Sequence, residues 1–263
     1  MVPPYSGINI LYSKGALPEL KSPYLICGFP GSGYVGKMAV DHLIEELHAR
    51  HLADIYSTSF PPQVLIRSDG TADLMKNTIY YSDKANSSEV NLLLLTGDSQ
   101  PANPDSEYML AEEILNIAAK FNTSHVFTLA AYITGVFVEK PRIFGTATDT
   151  DTIKSFSERN ISAMDGGSIT GMNGLIIGSA KLRGIRGTCL LGETSGYVVD
   201  AKASKSILET LISIIGIDVD MKNLEKRAKD TETLIETIEQ QMSGRTAQQQ
   251  SSATKPTDMG YIS

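Results

Sequence analysis

The stretch "GFPGSGYVGK", residues 28–37, satisfies two phosphate-binding patterns at once. Gly31, Gly33 and Gly36 fit G-x-G-x-x-G, and Gly31 through Lys37 fit G-x-x-x-x-G-K. A phosphate-gripping P-loop needs a Ser or Thr after its Lys to hold Mg²⁺. Met38 stands there and cannot ligate the ion. A dinucleotide site needs an acid near the end of the second strand. That strand, "ADIYSTS", ends in Ser and Thr. Both nucleotide readings therefore lack their confirming partner. A bare anion site remains open. It would use backbone N–H groups at Gly31, Ser32 and Gly33 before a helix, with Glu193, Thr194 and Ser195 at the end of another strand. A phosphorylase- or hydrolase-like enzyme could be assembled from those parts. The competing reading is structural: glycine lets a helix pack close to a sheet.

Other reactive groups are sparse. No Ser-His-Asp set, suggestive pair of carboxylates, CxxC or HExxH is legible. Three of the four histidines, His42, His48 and His51, crowd one expected helix and its exit, and His125 stands apart, so a metal site is not expected. Cys27 and Cys189 sit in apolar runs expected to be buried strands, which suits a reducing cytoplasm. The net charge of −7 opposes a sequence-independent grip on nucleic acid or an anionic membrane. No apolar run is long enough to span a bilayer, and "MVPPYSGINI" lacks the pattern of a signal peptide. No cofactor is expected.

The elements around the glycine stretch follow from periodicity. "YLICG", "ADIYSTS", "NLLLLTGDSQP", "HVFTLAAY", "RIFGTAT" and "RGTCLLGE" read as strands. Residues 34–49, 105–121, 151–159, 170–182 and 201–215 read as helices. Gly216 suits the C′ position of the last one. Asp69-Gly70 marks a hairpin turn. Strands alternating with helices predict an α/β fold: three layers, α/β/α, around a mostly parallel central sheet joined by right-handed crossovers.

The remainder changes character. Met221, Leu224, Ala228, Thr231, Ile235, Ile238 and Met242 are spaced 3, 4, 3, 4, 3, 4, a heptad seam. Three heptads are too short to be stable alone in water, so this helix must pack on its own domain or on another copy. Residues 243–258 are polar and predict a flexible tether. Tyr261 and Ile262, an aromatic and an aliphatic residue at its tip, are out of place on it and suit a short docking motif, with Met259 and Ser263 beside them; the competing reading is an arbitrary end of the chain. The expected organisation is a body over 1–216, a helix over 217–242 and a tail over 243–263.

Four blocks resemble one known family: "GFPGSGYVGKMAVDHL", "LLLTGDSQP", "TLAAYITG", and "ITGMNGLIIGSAKLRGI" running on to "CLLGETSGYVVDAKASKSILETL". They cover most of residues 22–215 in order. The chain is similar to the proteasome assembly chaperones in their archaeal, single-chain form. The resemblance implies a three-layer α/β/α fold distantly like nucleoside phosphorylases, without a recognised active site. It also implies a non-enzymatic, cytoplasmic homo-oligomer that either helps the subunits of the proteasome core particle assemble or docks on the α subunits of the assembled core. In such proteins a tail ending in hydrophobic-Tyr-X enters pockets of the α-ring. Here Tyr261 is third from the last residue and follows Gly260, a departure from that pattern. Met221, Leu224, Ala228, Ile235 and Ile238 would join the subunits.

Overall fold

The computed structural model describes residues 7–85, 88–231 and 233. In chain order the strands are β1 (Ile8–Tyr12), β2 (Tyr24–Gly28), β3 (Arg50–Ser57), β4 (Val64–Ile66), β5 (Ala72–Leu74), β6 (Asn77–Ser82), β7 (Leu92–Gly97), β8 (His125–Ile133), β9 (Ile143–Ala147), β10 (Ile161–Ala163) and β11 (Gly187–Thr194). The helices are α1 (Val35–Glu46), α2 (Pro104–Lys120), α3 (Thr150–Ser155), α4 (Gly171–Leu182), α5 (Ala201–Ile215) and α6 (222–231).

Nine strands form one sheet in the order β1-β3-β6-β7-β2-β8-β11-β9-β10, and β4 pairs only with β5. The centre, β7-β2-β8-β11, is parallel. The expectation of a mostly parallel sheet is corrected at its flanks. β1-β3, β3-β6, β6-β7 and β11-β9 are antiparallel. The reason lies in the connections. A parallel neighbour needs a crossover, usually a helix, whereas β3 to β6, β6 to β7 and β8 to β9 are joined without one. Two strands, β1 and β10, were not anticipated. Both are short edge strands whose pairing comes from distant sequence.

Helices cover both faces. α1 and α5 enclose one core with Ile26, Leu92, Leu94, Leu129 and Leu190. α2 and α4 enclose the other with Leu25, Leu93, Leu95, Val126 and Leu191. Successive residues of β2, β7 and β11 thus enter opposite cores, which is why these strands read as continuous apolar runs. The helix boundaries have local causes. Asn103 caps α2 through Ser106 N at 3.0 Å, with Pro104 in the first turn. α3 is capped by Asp149, whose Oδ1 accepts from Thr152 N at 2.8 Å, so the helix begins at Thr150, one residue before the expected start at 151. Gly216 ends α5 at φ +73°, the left-handed conformation glycine accepts without strain.

The first half of the heptad seam is used within the chain. Leu224 and Ala228 are buried in the α1–α5 core beside Ile217 and Val219, and Met221 packs against it. Polar ties hold α6 there. His42 Nε2 donates to Asp220 O at 2.8 Å, Asn223 Nδ2 donates to Glu46 Oε1 at 2.9 Å, and Lys205 pairs with Glu225 at 3.2 Å. Ile235 and Ile238 lie outside the described residues, as do Met259, Tyr261, Ile262 and Ser263.

Candidate docking surface at the carboxyl end of the sheet

In open α/β sheets, ligands meet the carboxyl ends of the parallel strands. Here that end holds the glycine stretch, and its glycines serve packing. A Cβ on Gly36 would lie 1.9 Å from the Leu129 carbonyl oxygen of β8. One on Gly28 would lie 2.3 Å from Gly36 O. The first turn of α1 is thereby pressed onto the β2 and β8 backbones. Gly31 is different: its backbone is extended and a Cβ would meet nothing within 4 Å. Gly33 turns at φ +64°, and the loop after β11 lies against it. Asp200 N donates to Gly33 O at 2.8 Å, and Thr194 Oγ1 donates to Asp200 Oδ2 at 2.7 Å. Lys37, the lysine of the P-loop pattern, is held sideways. Its Nζ pairs with Asp41 at 3.0 Å and donates to Thr96 Oγ1 at 3.1 Å.

The structure does bring the Gly31–Gly33 turn to the end of β11, as the anion reading requires. The side chains there are occupied, however. Glu193 is almost fully buried and gripped by the fork of Arg142: Nε donates to Oε2 at 3.0 Å and Nη2 to Oε1 at 2.8 Å. Arg142 N donates to the same carboxylate at 3.2 Å. Ser195 Oγ accepts from Tyr197 N at 3.3 Å. Gln100 closes the neighbouring crevice, with Nε2 donating to Pro30 O at 2.7 Å and Oε1 accepting from Met172 N at 2.9 Å. Cys27 and Cys189 are buried, and burial pushes both thiols up, away from thiolate reactivity. Among the described residues no group of three or more His, Cys, Asp or Glu is placed to hold a metal ion. No described helix is long and apolar enough to cross a membrane.

The hydrogen bonds from Arg142 hold the Glu193 carboxyl below its ordinary range. A depressed carboxyl contributes stability at neutral pH that is lost as pH falls through the ordinary Glu range and below it. Arg142→Ala leaves the carboxylate buried without its cation. Because the arginine side chain is largely exposed, water softens the loss, and the variant is expected to be measurably but modestly less stable at pH 7. Urea denaturation at pH 7 and at pH 3.5–4 checks this. The gap between variant and parent should narrow on acidification, because a protonated Glu193 no longer needs a cation.

What this end offers outward is apolar surface. Ten of the thirteen large apolar residues exposed among the described residues lie at or follow the carboxyl ends of β2, β3, β7, β8 and β11. One cluster surrounds Tyr197, which is 75% exposed. Its ring lies edge-on to Phe137 at 6.4 Å, and Ile133 and Val136, close to Phe137 in the chain, and Val199, two residues after Tyr197, are exposed as well. Tyr34, from the glycine turn, belongs to the same end. A second cluster is the outer face of the β4–β5 hairpin. Val64 pairs with Leu74, and Ile66 follows two residues on with 67% of its surface exposed. Leu65, between them, faces the core. Tyr108 and Met109 extend this side from the first two turns of α2, which Ser106 Oγ ties to Ser59 Oγ at 2.6 Å. Contiguous exposed apolar surface marks contact with other macromolecules. Sequence reasoning passed over these residues. Their signal was apolar runs inside glycine-bearing loops, "ITGVFV" and "SGYVVD".

Fold and site together define a three-layer α/β protein with a mixed sheet, whose carboxyl end is filled by its own loops and apolar on the outside. The PAC2 family model matches residues 25–239, and the chain belongs to that family. Among solved structures it is similar to PbaB of Pyrococcus furiosus, an archaeal proteasome activator, with TM-score 0.80, 35% identity, and coverage of 89% of this chain and 99% of that one. It is also similar to PbaA of Pyrococcus furiosus, an archaeal homolog of proteasome-assembly chaperone, with TM-score 0.71, 27% identity, and coverage of 91% and 99%. Protein MJ1210 of Methanocaldococcus jannaschii is 36% identical over 223 residues, 84% of this chain and 85% of that protein.

Proposed function

We propose that this chain is a proteasome assembly chaperone or adaptor that works by binding the core particle, without catalysis of its own. The observation that carries this reading is its 35% identity to PbaB across 99% of that chain. The occupied side chains at the glycine turn agree with it. In this reading several copies assemble and present their tails, residues 243–263, to the α subunits of the core particle. Each tail grips weakly through Tyr261 and Ile262, with Met259 and Ser263 at the margins of the contact. Linking several weak grips raises avidity by orders of magnitude without any new contact. A tether of about 20 residues reaches on the order of 25 Å, enough to span from an oligomer to several sites.

The apolar carboxyl end supplies a face for the copies to meet on. The first half of the heptad seam is less suited to that role, since Leu224 and Ala228 are buried within their own chain. Removing residues 259–263 tests the tail mechanism. Pull-down from a native extract should recover core particles with the intact chain and lose them with the shortened one, at unchanged fold and oligomer size. Equal recovery by both would contradict it.

A further inference from the structure

A second concavity lies at the opposite, amino end of the sheet. It opens between the starts of β2, β8 and β11 and the facing ends of α3 and α5, and holds about 370 Å³. That is the low end of the range for small-molecule sites, roughly 300–1,000 Å³. Aromatic rings line it. His125 stacks on Phe127 with centroids 4.4 Å apart, Tyr24 meets Phe127 edge-on at 5.9 Å, and Phe156 belongs to the same wall.

Two guanidinium groups, those of Arg159 and Arg186, also line it. The charges around them are unequally matched. Asp151 pairs with Lys154 at 2.8 Å. Asp149 is committed to capping α3 and stands 3.8 Å from Arg186. Arg159 donates only to a carbonyl, Ser213 O, at 3.4 Å, and among the described residues no carboxylate pairs with it. His125 adds no charge near neutral pH. Burial pushes it down to about 4, with Arg186 acting in the same direction, and its Nε2 is hydrogen-bonded to Thr188 Oγ1 at 2.8 Å. The result is a hollow backed by buried aromatic rings, with Tyr24 the one among them that is partly exposed, beside a cationic rim in which one guanidinium lacks an anionic partner.

We propose that this cavity binds a small aromatic anion, an aryl phosphate or aryl carboxylate, with its ring against the partly exposed Tyr24 and its charge between Arg159 and Arg186. This site is independent of docking on the proteasome and lies away from the apolar end.

Phenyl phosphate is the probe, titrated into the full chain by calorimetry and by NMR of the His125 ring. The expected result is saturable binding with Kd on the order of 1 mM, ordinary ligand efficiency for eleven heavy atoms. The His125 signals should move along the same curve. Benzyl alcohol and inorganic phosphate, each lacking half of the ligand, should bind about tenfold more weakly or less. Arg159→Gln and Arg186→Gln should each weaken phenyl phosphate about tenfold at unchanged Tm. No saturation at 10 mM, equal binding of inorganic phosphate, or affinity unchanged in both arginine variants would overturn the assignment.

Discussion

Gly36→Ala is expected to lower the stability of this protein by about 3 kcal/mol, while Gly31→Ala, five residues away, changes it by less than about 0.5 kcal/mol. The sign at Gly36 is informative because propensity points the other way. Inside a helix alanine is favoured over glycine by about 1 kcal/mol. The added methyl, however, would stand 1.9 Å from the Leu129 carbonyl oxygen and 2.6 Å from its carbon. These are backbone atoms of a central strand paired on both sides, so no flexible side chain can move aside. α1 must retreat from the sheet, and Val35, Ala39 and Leu43 lose packing with it. At Gly31 the backbone is extended and the space beyond it open. Thermal unfolding of the two variants should differ by about 6–12 °C for a domain of this size. A Gly31→Ala variant as destabilised as Gly36→Ala would contradict this account of the turn.

The second large effect is expected on association. Tyr197→Asp combined with Ile66→Asp places one charge in each apolar cluster of the carboxyl end. Both positions are open to solvent, so the isolated chain should keep its fold and its Tm within a few degrees. In an interface the same carboxylates would be desolvated without partners, at several kcal/mol. Stable protein interfaces bury about 800 Å² per partner with a few central residues carrying most of the energy, and exposed aromatic residues such as Tyr197 are typical of those. Light scattering after gel filtration should show oligomers for the parent chain and monomers for the double variant. Oligomers of unchanged size would move the interface elsewhere. A Met221→Asp variant, at the partly buried residue just before α6, would then be the discriminating comparison.

The sequence disclosed most where local chemistry decided structure. The runs "YLICG", "NLLLLTG" and "GTCLLGE" became β2, β7 and β11, buried on both faces. The apolar stripes of α1, α2 and α5 fell where their period placed them, α5 at both expected ends and the other two within three residues. Gly216 ended α5 for the reason its type suggested. What was hidden depends on distant partners. β1 is five residues long and is a strand because β3 lies beside it. The antiparallel flanks follow from which strands neighbour each other in space, which periodicity does not encode. At the candidate site, proximity of the glycine turn to Glu193 and Ser195 could be anticipated from strand-end rules. Neutralisation of Glu193 by Arg142 could not, since 51 residues separate them. The heptad seam could be read, yet its spacing was compatible with either partner; burial of Leu224 in its own core is decided by how α6 lies on α1 and α5. Exposure of Ile66 likewise belongs to the fold, because Leu65, one residue away in the same strand, packs against the core.

The central claim, that this PAC2-family chain acts on the proteasome, is tested most directly by mixing the purified full chain with purified archaeal 20S core particles and following both by sedimentation velocity. A faster boundary containing both proteins, saturating at a fixed ratio of chains to core particles, is the expected result. Two boundaries that sediment as each protein does alone, at every concentration up to about 100 μM, would contradict it, since several linked weak grips should register well below that level.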